Sequence, residues 1–118
     1  MMRSGIKYSA GNIVILPFPF TDLSATKQRP VLIISNDSYN AAMEDVVVCG
    51  ITSNFKDASY SVSLGQQELQ EGVIPTLSRI KVDKIFTLKQ SLIKKKVGAV
   101  KQEVLQEVIK EINKLFGN

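Results

Sequence analysis

The sequence predicts a mainly β fold, a small and strongly bent antiparallel barrel with one helix at its C-terminal end. Three observations favour this class. Short runs of β-branched and aromatic residues recur at close spacing, polar turns separate them, and the last segment repeats apolar residues every three or four positions. With 118 residues and a 44% hydrophobic fraction, we expect a single domain over residues 1–118.

The first strand is expected within residues 13–20, which are almost continuously apolar and aromatic. Pro17 and Pro19 interrupt this run, and proline cannot donate a hydrogen bond to a sheet ladder. We therefore expect the strand to end, or to lie at an edge, near Phe18.

A second strand is expected over residues 31–34, after a polar loop over residues 22–28. Arg29 closes the loop and Pro30 follows it. The proline favours an extended backbone at Arg29. A loop held between two strands can present such a cation to a ligand at low entropic cost, so Arg29 is the first candidate functional residue.

A short helical turn and two more strands are expected in the middle of the chain. Asn36 is a suitable cap for a turn that runs through residue 43. Residues 46–51 form a continuous apolar run that should end at residues 52–54, Thr-Ser-Asn. Residues 60–64 alternate apolar and serine side chains, which is typical of a strand with one wet face.

The last part of the chain is expected to end in a helix. Residues 66–71 are polar and predict a single helical turn or a loop, and residues 76–88 predict one long bent strand or two short ones. Three lysines at 94–96 indicate a charged corner exposed to solvent. The apolar residues of 104–116 lie on one helical face, which should pack on the barrel.

The composition excludes several kinds of chemistry. The sequence has no histidine, which removes serine-histidine and cysteine-histidine nucleophiles and most zinc sites. Cys49 is the single cysteine, so it is expected in the core rather than in an internal disulfide. No apolar run approaches the roughly 20 residues of a membrane span, and we expect a cytoplasmic protein without a membrane partner. The formal charge of +4 permits a polyanionic partner without requiring one.

Several segments together carry a family resemblance. Residues 11–20, GNIVILPFPF, and 27–35, KQRPVLIIS, precede a third strand that ends ITSN, and residues 77–88 are LSRIKVDKIFTL. The most specific feature is Arg-Pro directly before an apolar strand, combined with Thr-Ser at the end of the next. Over residues 11–117 the chain resembles the MazF/PemK family of toxins from toxin-antitoxin systems.

This resemblance implies a bent SH3-like barrel of the CcdB/MazF type that forms a homodimer. It also implies a toxin of a type II system, a metal-independent and sequence-selective endoribonuclease that cleaves single-stranded RNA such as mRNA by attack of the ribose 2′-hydroxyl. No cofactor is expected. A cognate antitoxin is expected as partner, with its C-terminal segment over the RNA-binding groove.

The resemblance also implies the catalytic residues. Arg29 matches the family's catalytic Arg-Pro arginine, whose planar guanidinium can hold two phosphoryl oxygens. Thr52 matches the catalytic threonine, and Ser53 follows it as a supporting hydroxyl. Asp22 is a candidate proton acceptor, because it is the one carboxylate of the first loop.

Five further residues are expected to contact RNA. The loops that would determine sequence preference cover residues 21–28 and 54–59, and Phe55 lies beside the Thr-Ser pair, where its ring could stack on a base. Many relatives have Asp-Gln where this chain has Ser78-Arg79, which leaves the general base open. The candidate RNA-binding residues are Lys27, Gln28, Asn54, Phe55 and Arg79.

Two other functions remain open on the sequence. One is a non-catalytic toxin-fold protein that binds a protein target, as the gyrase-directed CcdB toxins do. The other is a basic barrel that binds nucleic acid without cutting it. The absence of histidine and the Ser78-Arg79 departure favour the first of these alternatives, whereas the pairing of Arg29 with Thr52 favours the nuclease.

Overall fold

A computed structural model of the protein describes residues 8–18, 27–54, 56 and 58–117. In this part of the chain, seven strands form one curled antiparallel sheet, a half-barrel accompanied by a C-terminal helix, as the sequence predicted. The strands are β1 Asn12–Phe18, β2 Lys27–Ile33, β3 Asp45–Thr52, β4 Ser61–Leu64, β5 Leu69–Gly72, β6 Ser78–Lys89 and β7 Lys95–Val100, and the helices are α1 Asp37–Ala42 and α2 Gln102–Phe116.

The sheet has the strand order β4-β6-β3-β2-β1-β7-β5, and α2 packs against β4 and β6. Because side chains alternate between the two faces of a strand, the sheet has a buried cluster on each face. The cluster that includes α2 contains Ile13, Leu32, Cys49, Ile80 and Val108, among others. The cluster on the other face contains Val14, Leu16, Val31, Ile33, Val46, Val48 and Ile93.

The first strand behaves as its two prolines predicted. β1 pairs with β7 only as far as Ile15, opposite Lys95, but continues to pair with β2 through Phe18. Pro17 therefore lies where β1 has one neighbour, and its missing N–H costs no ladder hydrogen bond on the β7 side. Pro19 lies outside the described residues.

The second strand begins earlier than the sequence suggested. β2 starts at Lys27, so Arg29 is part of a strand and pairs with Leu16 rather than closing a loop. Pro30 pairs with Ile15 and favours the extended backbone before it. Pairing with β1 thus extends β2 over residues whose polar side chains had indicated a loop.

The middle of the chain agrees with the sequence pattern. The side chain of Asn36 accepts a hydrogen bond from the backbone N–H of Tyr39 at 2.9 Å and caps α1. The third and fourth strands form as predicted, and Val62 and Leu64 are buried in β4 whereas Ser63 is exposed.

Two strands were not predicted. Residues 66–68 form the expected helical turn, but the polar residues that follow form β5, and two of the three lysines in the predicted charged corner begin β7. These strands pair with each other, and Gly72 lies opposite Gly98. The three lysines at 94–96 are exposed, as predicted, but the prediction of a corner was wrong, because Lys95 and Lys96 pair with Ile15 and Val14 of β1.

The stretch over residues 76–88 forms one long strand with a change of register. Cys49 pairs with Ile85 of β6, whereas the next residue of β3, Gly50, pairs with Lys81. Residues 82–84 therefore form a bulge in β6. This settles the alternative that the sequence left open.

The C-terminal helix is present, but its apolar face is less buried than predicted. Val104 and Val108 are the helix's buried residues, whereas Ile109 and Phe116 are 39% and 74% exposed. A helix that covers only the β4 and β6 side of the sheet cannot bury a stripe that turns away from it. No helix among the described residues is long and apolar enough to cross a membrane.

Candidate functional site

Strand pairing brings the ends of β2, β3 and β6 side by side. Val31 of β2 pairs with Gly50 of β3, and two residues further along each strand are Arg29 and Thr52. Thr52 in turn pairs with Arg79 of β6. Because residues opposite each other in antiparallel strands lie on the same face, Arg29 and Thr52 share one side of the sheet.

Two cavities meet at these residues. The first, of about 520 Å³, is lined on one side by apolar residues of β1, β5 and the chain after β5. The second, of about 470 Å³, extends along β3 and β6. Among the residues that the structure describes, Arg29 and Thr52 are the two polar side chains common to both linings. Both volumes are within the range of small-molecule binding sites.

Arg29 is exposed although its backbone lies in a strand. It pairs with Leu16 of β1, and on the other side it lies two residues beyond the last pair between β2 and β3, Val31–Gly50. An arginine anchored in a sheet keeps its backbone fixed while its guanidinium faces the cavities. This arrangement suits recognition of an anion by a planar pair of N–H groups.

Thr52 is held by a turn at the end of β3. Its hydroxyl oxygen accepts a hydrogen bond from the backbone N–H of Asn54 at 3.0 Å, and the Asn54 side-chain oxygen accepts one from the N–H of Lys56 at 2.9 Å. A hydroxyl that accepts in this way can still donate its own proton. The turn therefore holds the hydroxyl oxygen of Thr52 in place and leaves its O–H free to donate a hydrogen bond.

The other predicted residues divide between the two cavities. Gln28 and Ser53 line the first cavity, together with Arg29 and Thr52. Asn54 lines the second. Lys27 is the first residue of β2, opposite Phe18. Asp22 and Phe55 lie outside the described residues.

Arg79 has a different environment from Arg29. Its Nε donates a hydrogen bond to the hydroxyl of Ser61 in β4 at 2.8 Å. Arg79 is not one of the described residues that line either cavity. The preceding Ser78 is buried, lines the first cavity, and donates its hydroxyl hydrogen to the Thr76 carbonyl at 2.9 Å.

The lysines of the second cavity were not predicted from the sequence. Lys56, Lys81 and Lys84 line it beside Arg29, and Lys81 is only 8% exposed. The ammonium of Lys81 donates to the Ser59 carbonyl at 3.3 Å and lies 3.8 Å from Asp83. Their spacing in the sequence gave no signal, because alternation along a regular strand would place Lys81 and Lys84 on opposite faces.

The described linings of both cavities contain no carboxylate. The charged residues in these described linings are all cations, so the site attracts anions. Behind it, Cys49 is fully buried, and burial raises the pKa of its thiol to about 12. The thiol therefore stays protonated and supplies no nucleophile.

A family model described as a PemK-like, MazF-like toxin of a type II toxin-antitoxin system matches residues 9–116. No curated protein sequence gives a significant match. The family match agrees with the resemblance carried by the Arg-Pro and Thr-Ser motifs.

Solved structures show the same fold. A MazE-MazF complex from Deinococcus radiodurans has a TM-score of 0.77 and 23% identity, covering 95% of this chain and 98% of that one. An endoribonuclease in complex with its cognate antitoxin from a Mycobacterial species has a TM-score of 0.74 and 19% identity, with 91% and 92% covered. The Mycobacterium tuberculosis toxin MazF-mt6 has a TM-score of 0.72 and 18% identity, with 89% and 95% covered. At these identities the likeness concerns the fold alone.

Proposed function

The chain belongs to the PemK/MazF family of type II toxins, and from this premise we propose that it is an endoribonuclease that cleaves single-stranded RNA at selected sequences without a metal ion. One observation carries the proposal: Arg29 and Thr52, from adjacent strands, line the same two cavities. The fold leaves a guanidinium and a hydroxyl facing the space where a phosphodiester would bind.

The chemistry needs no nucleophile from the protein. The ribose 2′-oxygen attacks the adjacent phosphorus, a bond forms between them, and the bond from phosphorus to the 5′-oxygen of the next nucleotide breaks. The 2′-hydroxyl proton must be accepted and the 5′-oxygen must receive one. The products are a 2′,3′-cyclic phosphate and a 5′-hydroxyl. The protein must hold the strand in line and stabilise charge on the phosphoryl oxygens.

Arg29 is assigned to stabilising the negative charge that develops on the phosphoryl oxygens. Its guanidinium can donate two parallel hydrogen bonds to the non-bridging oxygens. Because pairing with Leu16 of β1 fixes its backbone, little ordering is required when the transition state forms. Arg29 can also supply the proton that the leaving oxygen takes.

Thr52 is assigned to orienting the phosphate, with Ser53 in support. The hydrogen bond from the Asn54 N–H holds the Thr52 hydroxyl oxygen in place, and the O–H remains available to donate to the phosphate. A donor of this kind contributes to catalysis only if its hydrogen bond is stronger in the transition state than in the ground state.

The proton acceptor is assigned to Asp22. The described cavity linings supply hydroxyl, amide and cationic groups but no carboxylate, and Asp22 precedes β2 by five positions in the sequence. Lys27, Gln28, Asn54, Phe55 and Arg79 are assigned to binding the strand on either side of the scissile bond.

The family also supports three statements about assembly. We propose that residues 1–118 act as a single domain, that two copies form a homodimer, and that a cognate antitoxin inhibits the protein by covering the cavities. The solved relatives include an endoribonuclease with its cognate antitoxin and a MazE-MazF complex.

A single assay tests the activity. Purified protein is incubated with a long single-stranded RNA in excess chelator, and the ends of the products are analysed. We expect defined cuts that leave 2′,3′-cyclic phosphate and 5′-hydroxyl ends, and no cuts with Arg29→Ala. Intact RNA with the wild-type protein, or equal cleavage by the variant, would contradict the proposal.

The second candidate is a toxin-fold protein that binds its target without catalysis. The lack of a carboxylate in the described cavity linings favours it, because RNA cleavage needs a proton acceptor. If the RNA remains intact while expression of the chain still arrests growth, this candidate replaces the first.

A further inference from the structure

We propose that the second cavity is a binding subsite for the RNA phosphate next to the one being cleaved, formed by Lys56, Lys81 and Lys84 around Gly50. We call it the bulge subsite. The inference rests on the proposed ribonuclease function, because Arg29 and Thr52 place the scissile phosphate at its edge.

The bulge in β6 creates the subsite. Between the pairs Gly50–Lys81 and Cys49–Ile85, β6 contains three residues that have no partner in β3. In a regular strand, residues three positions apart face opposite sides. The bulge instead brings Lys81 and Lys84 to the same cavity. Bulges are frequent beside active sites, where they redirect a side chain.

Gly50 leaves room between these lysines. A Cβ atom built on Gly50 would lie 3.6 Å from the Cβ of Lys84, on the side of β3 that faces the cavity. Gly50 does not have a positive φ, so its backbone does not require glycine. The absence of a side chain there keeps the cavity open rather than relieving strain.

The charge of the subsite suits a phosphodiester. Its described lining carries four cationic residues, Arg29, Lys56, Lys81 and Lys84, and no carboxylate, and the Asp83 carboxylate lies 3.8 Å from the Lys81 ammonium. Lys81 is nearly buried beside the Ser59 carbonyl, which keeps its ammonium in one place. Lys84 and Lys56 are exposed and can close on a bound anion.

The two cavities differ in what they can accept. The first is lined mainly by apolar side chains with Gln28 and Ser53 at its edge, which suits a base. The second is cationic, which suits the backbone. Since they meet at Arg29 and Thr52, a strand whose scissile phosphate binds there would place its neighbouring nucleotide in one and its neighbouring phosphate in the other.

Salt dependence of binding tests the charge contact. We would measure binding of a fully 2′-O-methylated single-stranded RNA, which cannot be cleaved, over a series of salt concentrations. Lys84→Gln should make the plot of log affinity against log salt shallower by about 0.7, the value for one lost phosphate contact on a single strand. Lys110→Gln, which removes the same charge from α2 outside both cavities, should leave the slope unchanged.

A second variant tests the space independently of charge. Gly50→Val fills the subsite without altering any ionisable group, and we expect weaker binding of the same RNA with an unchanged thermal midpoint. Equal slopes for Lys84→Gln and Lys110→Gln, together with unchanged affinity for Gly50→Val, would overturn the proposal.

A backbone substitution tests which phosphate is bound. Once a cleavage site is mapped, oligonucleotides with a neutral methylphosphonate at one flanking position are compared. We expect the cleavage rate to fall for one flanking position in the wild-type protein and to fall much less in Lys84→Gln. Equal losses in both proteins would overturn the assignment.

The outcomes separate this inference from the ribonuclease proposal. Lys84-dependent binding without any cleavage would end the nuclease assignment and leave an anion-binding cavity. Cleavage with a Lys84-independent salt slope would leave the nuclease assignment and end the subsite. If the lysines instead change only the affinity for an acidic peptide, the cavity is a protein-binding surface and the RNA subsite is wrong.

Discussion

Arg29 and Thr52 lie at the ends of neighbouring strands and form the wall between an apolar cavity and a cationic one. Their strands pair over Val31–Gly50 to Ile33–Val48, and the two residues lie two positions beyond the Val31–Gly50 pair, where Arg29 pairs with Leu16 of β1 and Thr52 with Arg79 of β6. A strand of RNA matches the two cavities, because its bases are apolar and its phosphates are negatively charged.

Replacing Arg29 should abolish most of the activity. We expect Arg29→Ala to lower the rate of RNA cleavage by at least about 10²- to 10³-fold, the usual cost of one preorganised donor to developing charge. Arg29→Lys should recover only part of this rate, because an ammonium cannot donate two parallel hydrogen bonds. Initial rates on a fixed RNA give the measurement.

The fold of both variants must be intact for that result to count. Arg29 is exposed, so its removal should leave the thermal midpoint within about a degree or two of wild type, since exposed substitutions change stability by at most about 0.5 kcal/mol. An alanine variant that folds and still cuts at the wild-type rate would refute the role.

The hydroxyl of Thr52 should matter more than its methyl group. We expect Thr52→Val to lower the cleavage rate roughly 10²-fold, because it removes the donor and also the acceptor for Asn54 N–H. Thr52→Ser keeps both functions of the oxygen and should stay within a few-fold of wild type. The idea fails if valine and serine have the same effect on the rate.

Gly72 should be required for stability. Its φ is +95°, and a Cβ there would collide with the Val97 carbonyl oxygen and lie 2.7 Å from the Gly98 Cα. We expect Gly72→Ala to lower the free energy of unfolding by at least about 1–3 kcal/mol, measured by denaturant titration. Gly50→Ala is the matched control, because its Cβ meets only ordinary contact at 3.6 Å; equal losses in the two variants would contradict this account.

Cys49 should be unreactive in the folded protein. Burial raises its pKa from 9.0 to about 12, so a thiol reagent at pH 8 should label it only after denaturant is added. Above pH 9 the unfolded chain loses a proton that the native thiol keeps, so this group lowers stability as pH rises toward 12. The free energy of unfolding should therefore fall more steeply with pH in wild type than in Cys49→Ala, and rapid labelling of the native protein would contradict the assignment.

Much of the fold was accessible from local sequence pattern. Alternation in β4, the apolar run of β3, the Asn36 cap and the period of α2 each depend on neighbours within one segment, and each appeared where the pattern placed it. The strands β5 and β7 did not, because their polar residues become extended only by pairing with strands distant in the sequence, β5 with β7 and the lysines of β7 with β1.

The candidate site divides in the same way. The Arg-Pro and Thr-Ser motifs, through the family resemblance, marked Arg29 and Thr52 as candidates, but the extension of β2 to Lys27, which places Arg29 in a strand, was not predictable from its polar residues. The lysines of the bulge subsite could not be found in this way, since a regular strand would separate Lys81 from Lys84.

The sequence by itself determined the class of fold and the family, because these depend on short motifs and on the period of apolar side chains, and through the family resemblance it marked Arg29 and Thr52 as candidates. The tertiary structure alone decided how β6 shifts its register against β3, and with it the cationic cavity beside Arg29. A register shift depends on the energy of pairing two distant strands, and no single segment carries that information.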